Sequence, residues 1–104
     1  MSPFVVRFVQ EYAVGDRDEF LRLEATFAEM ERRRTDWPQG RRMQPYAGAE
    51  PTNALVWEAS FPTLADALAA IERIEADDEH AALFAEQAPL IVRARTEIYE
   101  TLDL

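Results

Sequence analysis

Hydrophobic and polar positions alternate through residues 4–14, FVVRFVQEYAV, a run rich in β-branched and aromatic types. The alternation puts Phe4, Val6, Phe8, Gln10 and Tyr12 on one face. Val5, Arg7, Val9 and Glu11 fall on the other, the period-two signature of a strand. Gly15 ends the run. Asp16 then stands as a helix cap, with Glu19 three residues on in capping-box position. From residue 17 to about 33, Phe20, Leu23, Phe27 and Met30 recur at helical spacing, and Leu21, Ala25 and Ala28 widen the stripe. Asp18 and Glu19 open this helix and Arg32, Arg33 and Arg34 close it, both as the helix dipole prefers. Residues 35–40 must be a loop, since Pro38 and Gly40 both resist helix continuation.

Residues 41–48 predict a short strand around Met43 and Tyr46, confined by Pro45 to a sheet edge, and 48–53 read as a turn. Residues 54–61, ALVWEASF, alternate firmly. Leu55, Trp57, Ala59 and Phe61 share one face, and Ala54, Val56, Glu58 and Ser60 the other. A second helix starts with Thr63 as N-cap and Asp66 at the third helical position, and its stripe is Leu64, Leu68, Ile71 and Ile74. The acidic run 75–79 marks a kink or a break with a fresh helix start, carrying His80, Leu83 and Phe84 before Pro89. Residues 90–102 alternate as a last strand, with Arg93, Arg95, Glu97 and Tyr99 opposite Ala94, Thr96 and Ile98.

The order β-α-β-β-α-β within 104 residues predicts one α+β domain spanning 1–104. Its expected form is ferredoxin-like: a four-stranded antiparallel sheet with the helices on one face. The other face then holds Val5, Val9, Ala54 and Val56, too apolar to leave wet, beside Arg7, Glu11 and Glu58, too charged for a dry core. A second copy of the sheet would satisfy both facts, so a homodimer is expected.

Composition narrows the functional classes. The chain has no cysteine, which excludes disulfides, thiolate metal sites and cysteine nucleophiles. Twenty acids against eleven bases give a net charge of −9, which argues against nucleic acid or an anionic membrane as partner. No apolar run approaches a membrane span and no signal-peptide pattern opens the chain, so a cytoplasmic location is the expectation. Every base is arginine, a bacterial-type bias that also excludes a Schiff-base lysine.

The segment at 12–21, YAVGDRDEFL, resembles the strand-to-helix junction of dimeric α/β-barrel proteins, especially the NIPSNAP-like group. LVWEASFPTL at 55–64 is similar to that group's third strand and helix start, DDEH at 77–80 to its acidic mid-helix break, and EIYE at 97–100 to its closing strand. The resemblance implies a two-sheet barrel made by two chains, with a ligand cleft between sheet and helices or inside the barrel. The group has no agreed chemistry. A small-molecule-binding homodimer is therefore the expected function, with a cofactor-independent monooxygenase-type enzyme of the same superfamily as the alternative.

His80 is the only imidazole, so any histidine acid/base step must use it. Haem-degrading relatives use a helix histidine with a nearby asparagine and tryptophan. Here Phe61 stands at the tryptophan position and the first strand has no asparagine, so no haem is expected. The acids around His80 lack the spacing of a calcium loop and the ligand set of a zinc site, and helix capping accounts for them. No cofactor and no metal is therefore expected. Arg32, Arg33, Arg34, Arg41 and Arg42 gather around one loop and are read as helix-end and surface partners rather than an anion dock. Trp37 and Tyr46 flank that loop, covering either the barrel's end or a ligand's entry. Arg7, Glu58, Arg95, Glu97 and Tyr99 are the candidate ligand-binding set. Strand order brings them to neighbouring rows of the helix-free face, either as an ion-pair network setting dimer register or as a polar ligand cleft.

Overall fold

A computed structural model describes residues 3–104. Strand β1 (Phe4–Tyr12) leads through a 3₁₀ turn into helix α1 (Arg17–Arg33). After the loop come β2 (Arg41–Met43) and β3 (Ala54–Phe61), then helices α2 (Leu64–Ala76) and α3 (Asp78–Gln87). A second 3₁₀ turn precedes β4 (Ile91–Glu100). The strands form one antiparallel sheet in the order β2-β3-β1-β4, the ferredoxin-like arrangement expected from the alternation. No helix among the described residues is long and apolar enough to cross a membrane.

The core lies where the two periodicities meet. Phe20, Leu23, Phe27 and Met30 of α1 are all buried, against Val6 and Tyr12 of β1 and Leu55, Trp57 and Ala59 of β3. Ala67, Ala70 and Ile74 complete it from α2. Thr63 caps α2 by accepting the Asp66 backbone N–H, and Asp77 caps α3 by accepting that of His80. The acidic run is thus a true break with a new N-terminus, whose orphan amide it satisfies.

Several boundaries differ from the sequence expectation. Asp16 makes no side-chain cap, because residues 14–16 wind into a 3₁₀ turn, and Glu19 pairs with Arg22 instead. The first strand stops at Tyr12, where Asn53 closes the sheet by accepting the Tyr12 N–H and donating its side-chain amide to the Tyr12 carbonyl. The edge strand shrinks to 41–43, since Pro45 has no amide to donate. The last strand covers 91–100.

A further correction concerns the helix-free face. Val9, Ala54 and Val56 are already buried within the single chain. The segment 43–50 folds back beside Val56 and Arg7, and Glu50 reaches the Arg95 guanidinium next to Val9. The apolar residues that called for a second copy are therefore largely covered by this chain's own loop and ion pairs.

Candidate functional site

A cleft of about 650 Å³ opens between the helix-facing side of the sheet and helices α1 and α3. Alternation in β1 and β3 places Phe8 and Trp57 on its floor, stacked with ring centroids 5.1 Å apart. Phe27 comes from the α1 stripe, and Trp37 from the loop that follows it. His80 and Phe84 enter from α3, one helical turn apart. The His80 ring lies 4.9 Å from Phe27, 6.3 Å from Trp37 and 6.2 Å from Phe84, centroid to centroid. α3 leaves β4 uncovered, so exposed Ala81 and Ala85 face exposed Ala94 and Thr96 across the mouth.

Beneath these rings lies a buried charged trio. Arg42 alternates inward from β2, opposite Trp57 in register. Its Nε donates to Glu24 Oε2 at 2.6 Å and its Nη2 to Glu31 Oε2 at 2.9 Å. Glu31 also accepts the Gly40 backbone N–H at 2.6 Å and the Trp57 indole N–H at 3.2 Å. Glu24 takes its remaining bond from the buried Gln87 amide at 2.9 Å. Burial works against the Arg42 charge, yet the two carboxylates hold its guanidinium above the ordinary value. Two acids and one base leave the trio with one net negative charge. Burial also lowers the His80 pKa, more than Asp77 and Glu24 raise it, and so favours the neutral imidazole.

The five residues singled out from the sequence come together, but on the opposite face of the sheet. Arg7 sits in register between Glu58 and Glu97. It donates to Glu58 Oε1 at 2.8 Å, and its guanidinium lies 5.1 Å over the Tyr99 ring. Arg41 shares Glu58 at 2.8 Å. The Tyr99 hydroxyl donates to Glu97, and Arg95 joins Glu97 to Glu50. Arg7, then Arg41, hold the Glu58 carboxyl below the usual range, and Arg95 does the same for Glu97. Of the five, Arg95 alone also borders the main cleft. Arg7 lines a separate open hollow of about 270 Å³ under segment 43–50.

Each arginine around the 35–40 loop finds an acid. Arg32 pairs with Glu29, Arg33 with Glu79, Arg41 with Glu58, and Arg42 with the trio. Arg34 forks onto Asp77 at 2.8 and 2.9 Å while lying 4.3 Å over the Trp37 ring. Trp37 is thereby buried, whereas Tyr46 is almost wholly exposed. Among the described residues no group of three or more His, Asp or Glu side chains is placed to hold a metal ion.

The sequence did not single out Glu24, Glu31 or Gln87, and it placed Arg42 only as a surface partner; His80 was read as the sole imidazole, without its aromatic neighbours. The available signal was Glu24 and Glu31, seven residues apart and flanking the apolar stripe of α1, where carboxylates need a partner.

No protein-family model matches the sequence, and neither does any curated protein. Solved structures do match. An uncharacterized NIPSNAP domain protein from Burkholderia xenovorans superposes with a TM-score of 0.78 at 17% identity, over 97% of this chain and 96% of that one. The fold is that of the NIPSNAP-domain proteins. A NIPSNAP family protein of unknown function from Agrobacterium tumefaciens gives 0.75 at 19% identity, over 99% and 91% of the two chains. The NIPSNAP fold belongs to the wider ferredoxin-like, dimeric α/β-barrel class. An antibiotic biosynthesis monooxygenase is accordingly similar too, with a TM-score of 0.71 at 12% identity over 96% and 99% of the chains.

Proposed function

We propose that the chain, as one domain in a homodimer, binds a small, mostly apolar molecule in the cleft between its sheet and helices α1 and α3. The cleft carries this reading: about 650 Å³ walled by aromatic rings, over a polar floor whose groups fix one another. Sites for small organic molecules have this size and this balance of apolar wall and few placed polar groups. The test is a ¹⁵N NMR screen of aromatic fragments. Binding shifts the side-chain indole signals of Trp37 and Trp57 together. A screen in which no fragment moves either signal refutes the proposal.

On the helix-free face, Arg7, Glu58, Arg95, Glu97 and Tyr99 set the register between two copies. Support comes from the fold likeness and from an ion-pair row that is balanced in charge, with Tyr99 half exposed at its end. Sedimentation should give twice the 11.9 kDa chain mass, and Tyr99→Glu should lower it. A monomer at micromolar concentration refutes the dimer. Val56, buried beneath its own loop, is unsuited to that test. A polar ligand held by the same five groups is the second reading, favoured by Arg7 Nε, which is buried without a hydrogen-bond partner. For the cleft, the alternative of a cofactor-independent monooxygenase-type enzyme draws support from the solitary histidine on its wall. Oxygen uptake with an aromatic substrate would establish it.

A further inference from the structure

The cleft's polar groups divide sharply into engaged and free. Both oxygens of Glu24 and both of Glu31 already accept hydrogen bonds, from Gln87, Arg42, Gly40 and Trp57. A cationic ligand therefore finds only the exposed Glu75 as an open carboxylate on the lining. An anionic one meets a buried cluster with one net negative charge. Gln10, Glu75, Thr96 and His80 on the same lining have side chains outside these bonds, and of these only His80 stands among the rings. Its backbone N–H is spent on Asp77, but among the described residues nothing hydrogen-bonds its ring. The ring stands on the cleft wall between Phe27 and Phe84, with Trp37 behind it. A neutral imidazole keeps one nitrogen as an acceptor.

We infer that the cleft selects a flat aromatic molecule that bears a hydroxyl or ring N–H and no negative charge, and that the His80 imidazole accepts its hydrogen bond. The inference rests on the reading of the cleft as a ligand site. The aromatic walls take the ring, the net negative trio repels anions, and His80 supplies an open acceptor among the rings. Charged groups face the imidazole from every side: Glu24 and Glu31 of α1, Arg42 of β2, Glu75 of α2, Asp77 at its own helix start and Arg95 of β4. Asp77 is tied to Arg34, Arg95 to Glu50 and Glu97, and the first three to one another. Among the described residues this leaves the exposed Glu75 as the one group without a bond, and none of the six hydrogen-bonds the ring nitrogen. Lowered by burial, the imidazole is an acceptor at neutral pH and loses that role on protonation.

The test compares 1-naphthol with 1-methoxynaphthalene, which keeps the rings and loses the donor, by calorimetry alongside the indole NMR signals. At pH 8 naphthol should bind about fivefold more tightly, the worth of one neutral hydrogen bond in a sheltered site. That preference should vanish in His80→Phe, which keeps an aromatic ring, and in the native protein once NMR shows the His80 ring protonated in acid. If His80→Phe does not fold, the native pH series decides. The inference is overturned by equal affinities at pH 8, by a preference that survives His80→Phe or protonation of the ring, or by tighter binding of 1-naphthoate. If no naphthalene compound shifts the Trp37 and Trp57 signals, the cleft reading itself falls.

Discussion

Gly40→Ala tests how the cleft floor is built. A Cβ on Gly40 would lie 2.2 Å from Trp57 Cε2, 2.3 Å from Nε1 and 2.6 Å from Cζ2, far inside van der Waals contact. The indole has little room to yield, since it stacks on Phe8 and its N–H is held by Glu31. Gly40 itself is fastened to Glu31 by its backbone N–H. Overpacking of this kind costs about 1–3 kcal/mol. Losing the indole bond to a carboxylate adds about 1.5–3 kcal/mol. The stiffer unfolded chain returns only about 0.4–1 kcal/mol. A net loss of about 3 kcal/mol follows, read as a drop in the urea midpoint at constant slope. Near-UV circular dichroism should change as well, because the displaced chromophore is Trp57. A variant within about 0.5 kcal/mol of the parent, with an unchanged near-UV spectrum, would refute the close packing of glycine on indole.

Arg42→Leu leaves two buried carboxylates without their base and should cost about 3–5 kcal/mol in urea unfolding. Adding Glu24→Gln and Glu31→Gln should recover much of that, and a single variant that costs nothing would refute the trio. Arg34 first, then the His80 backbone N–H, holds the Asp77 pKa at about 2 against an ordinary 3.8. Its stabilisation is present above the unfolded value and is lost as pH falls through the folded one. Asp77→Asn should therefore flatten acid destabilisation between these two values, as followed by circular dichroism. His80 follows the same linkage at higher pH, through burial rather than a partner. Its folded pKa lies below the ordinary 6.5, so the unfolded chain takes up the proton first and stability falls as pH drops through that region. Denaturant titrations at pH 8 and 5 should show this in the parent and not in His80→Phe.

Alternation and helical spacing made the fold legible because one apolar face of each main element packs between sheet and helices. Phe20, Leu23, Phe27 and Met30 announce α1, while Leu55, Trp57 and Ala59 announce β3. The Thr63 cap was equally readable, since its bond is local, and the acidic run was legible as a break without Asp77 being singled out as its cap. The meeting of Arg7, Glu58, Glu97 and Tyr99 also followed from strand order and parity. The cleft did not. Arg42, Glu24 and Gln87 lie far apart in sequence and meet only once β2 seats against α1 and α3, a tertiary event that no local pattern encodes. Val56 was expected to be covered, but by a second copy rather than by its own chain, for a similar reason. A loop, read as a mere turn, folds over it.

β4 has a second consequence, for the behaviour of the chain at high concentration. It is a ten-residue strand bonded on one side only, the length and exposure that invite another strand to add on. What guards it is the parity of its charges: Arg93, Arg95 and Glu97 recur at every second position, so an incoming strand must seat a charge at each of those rows. The pairs that fasten Arg93 to Glu11 and Arg95 to Glu50 hold two of these charges in place along the border, the kind of feature that discourages a further strand from adding.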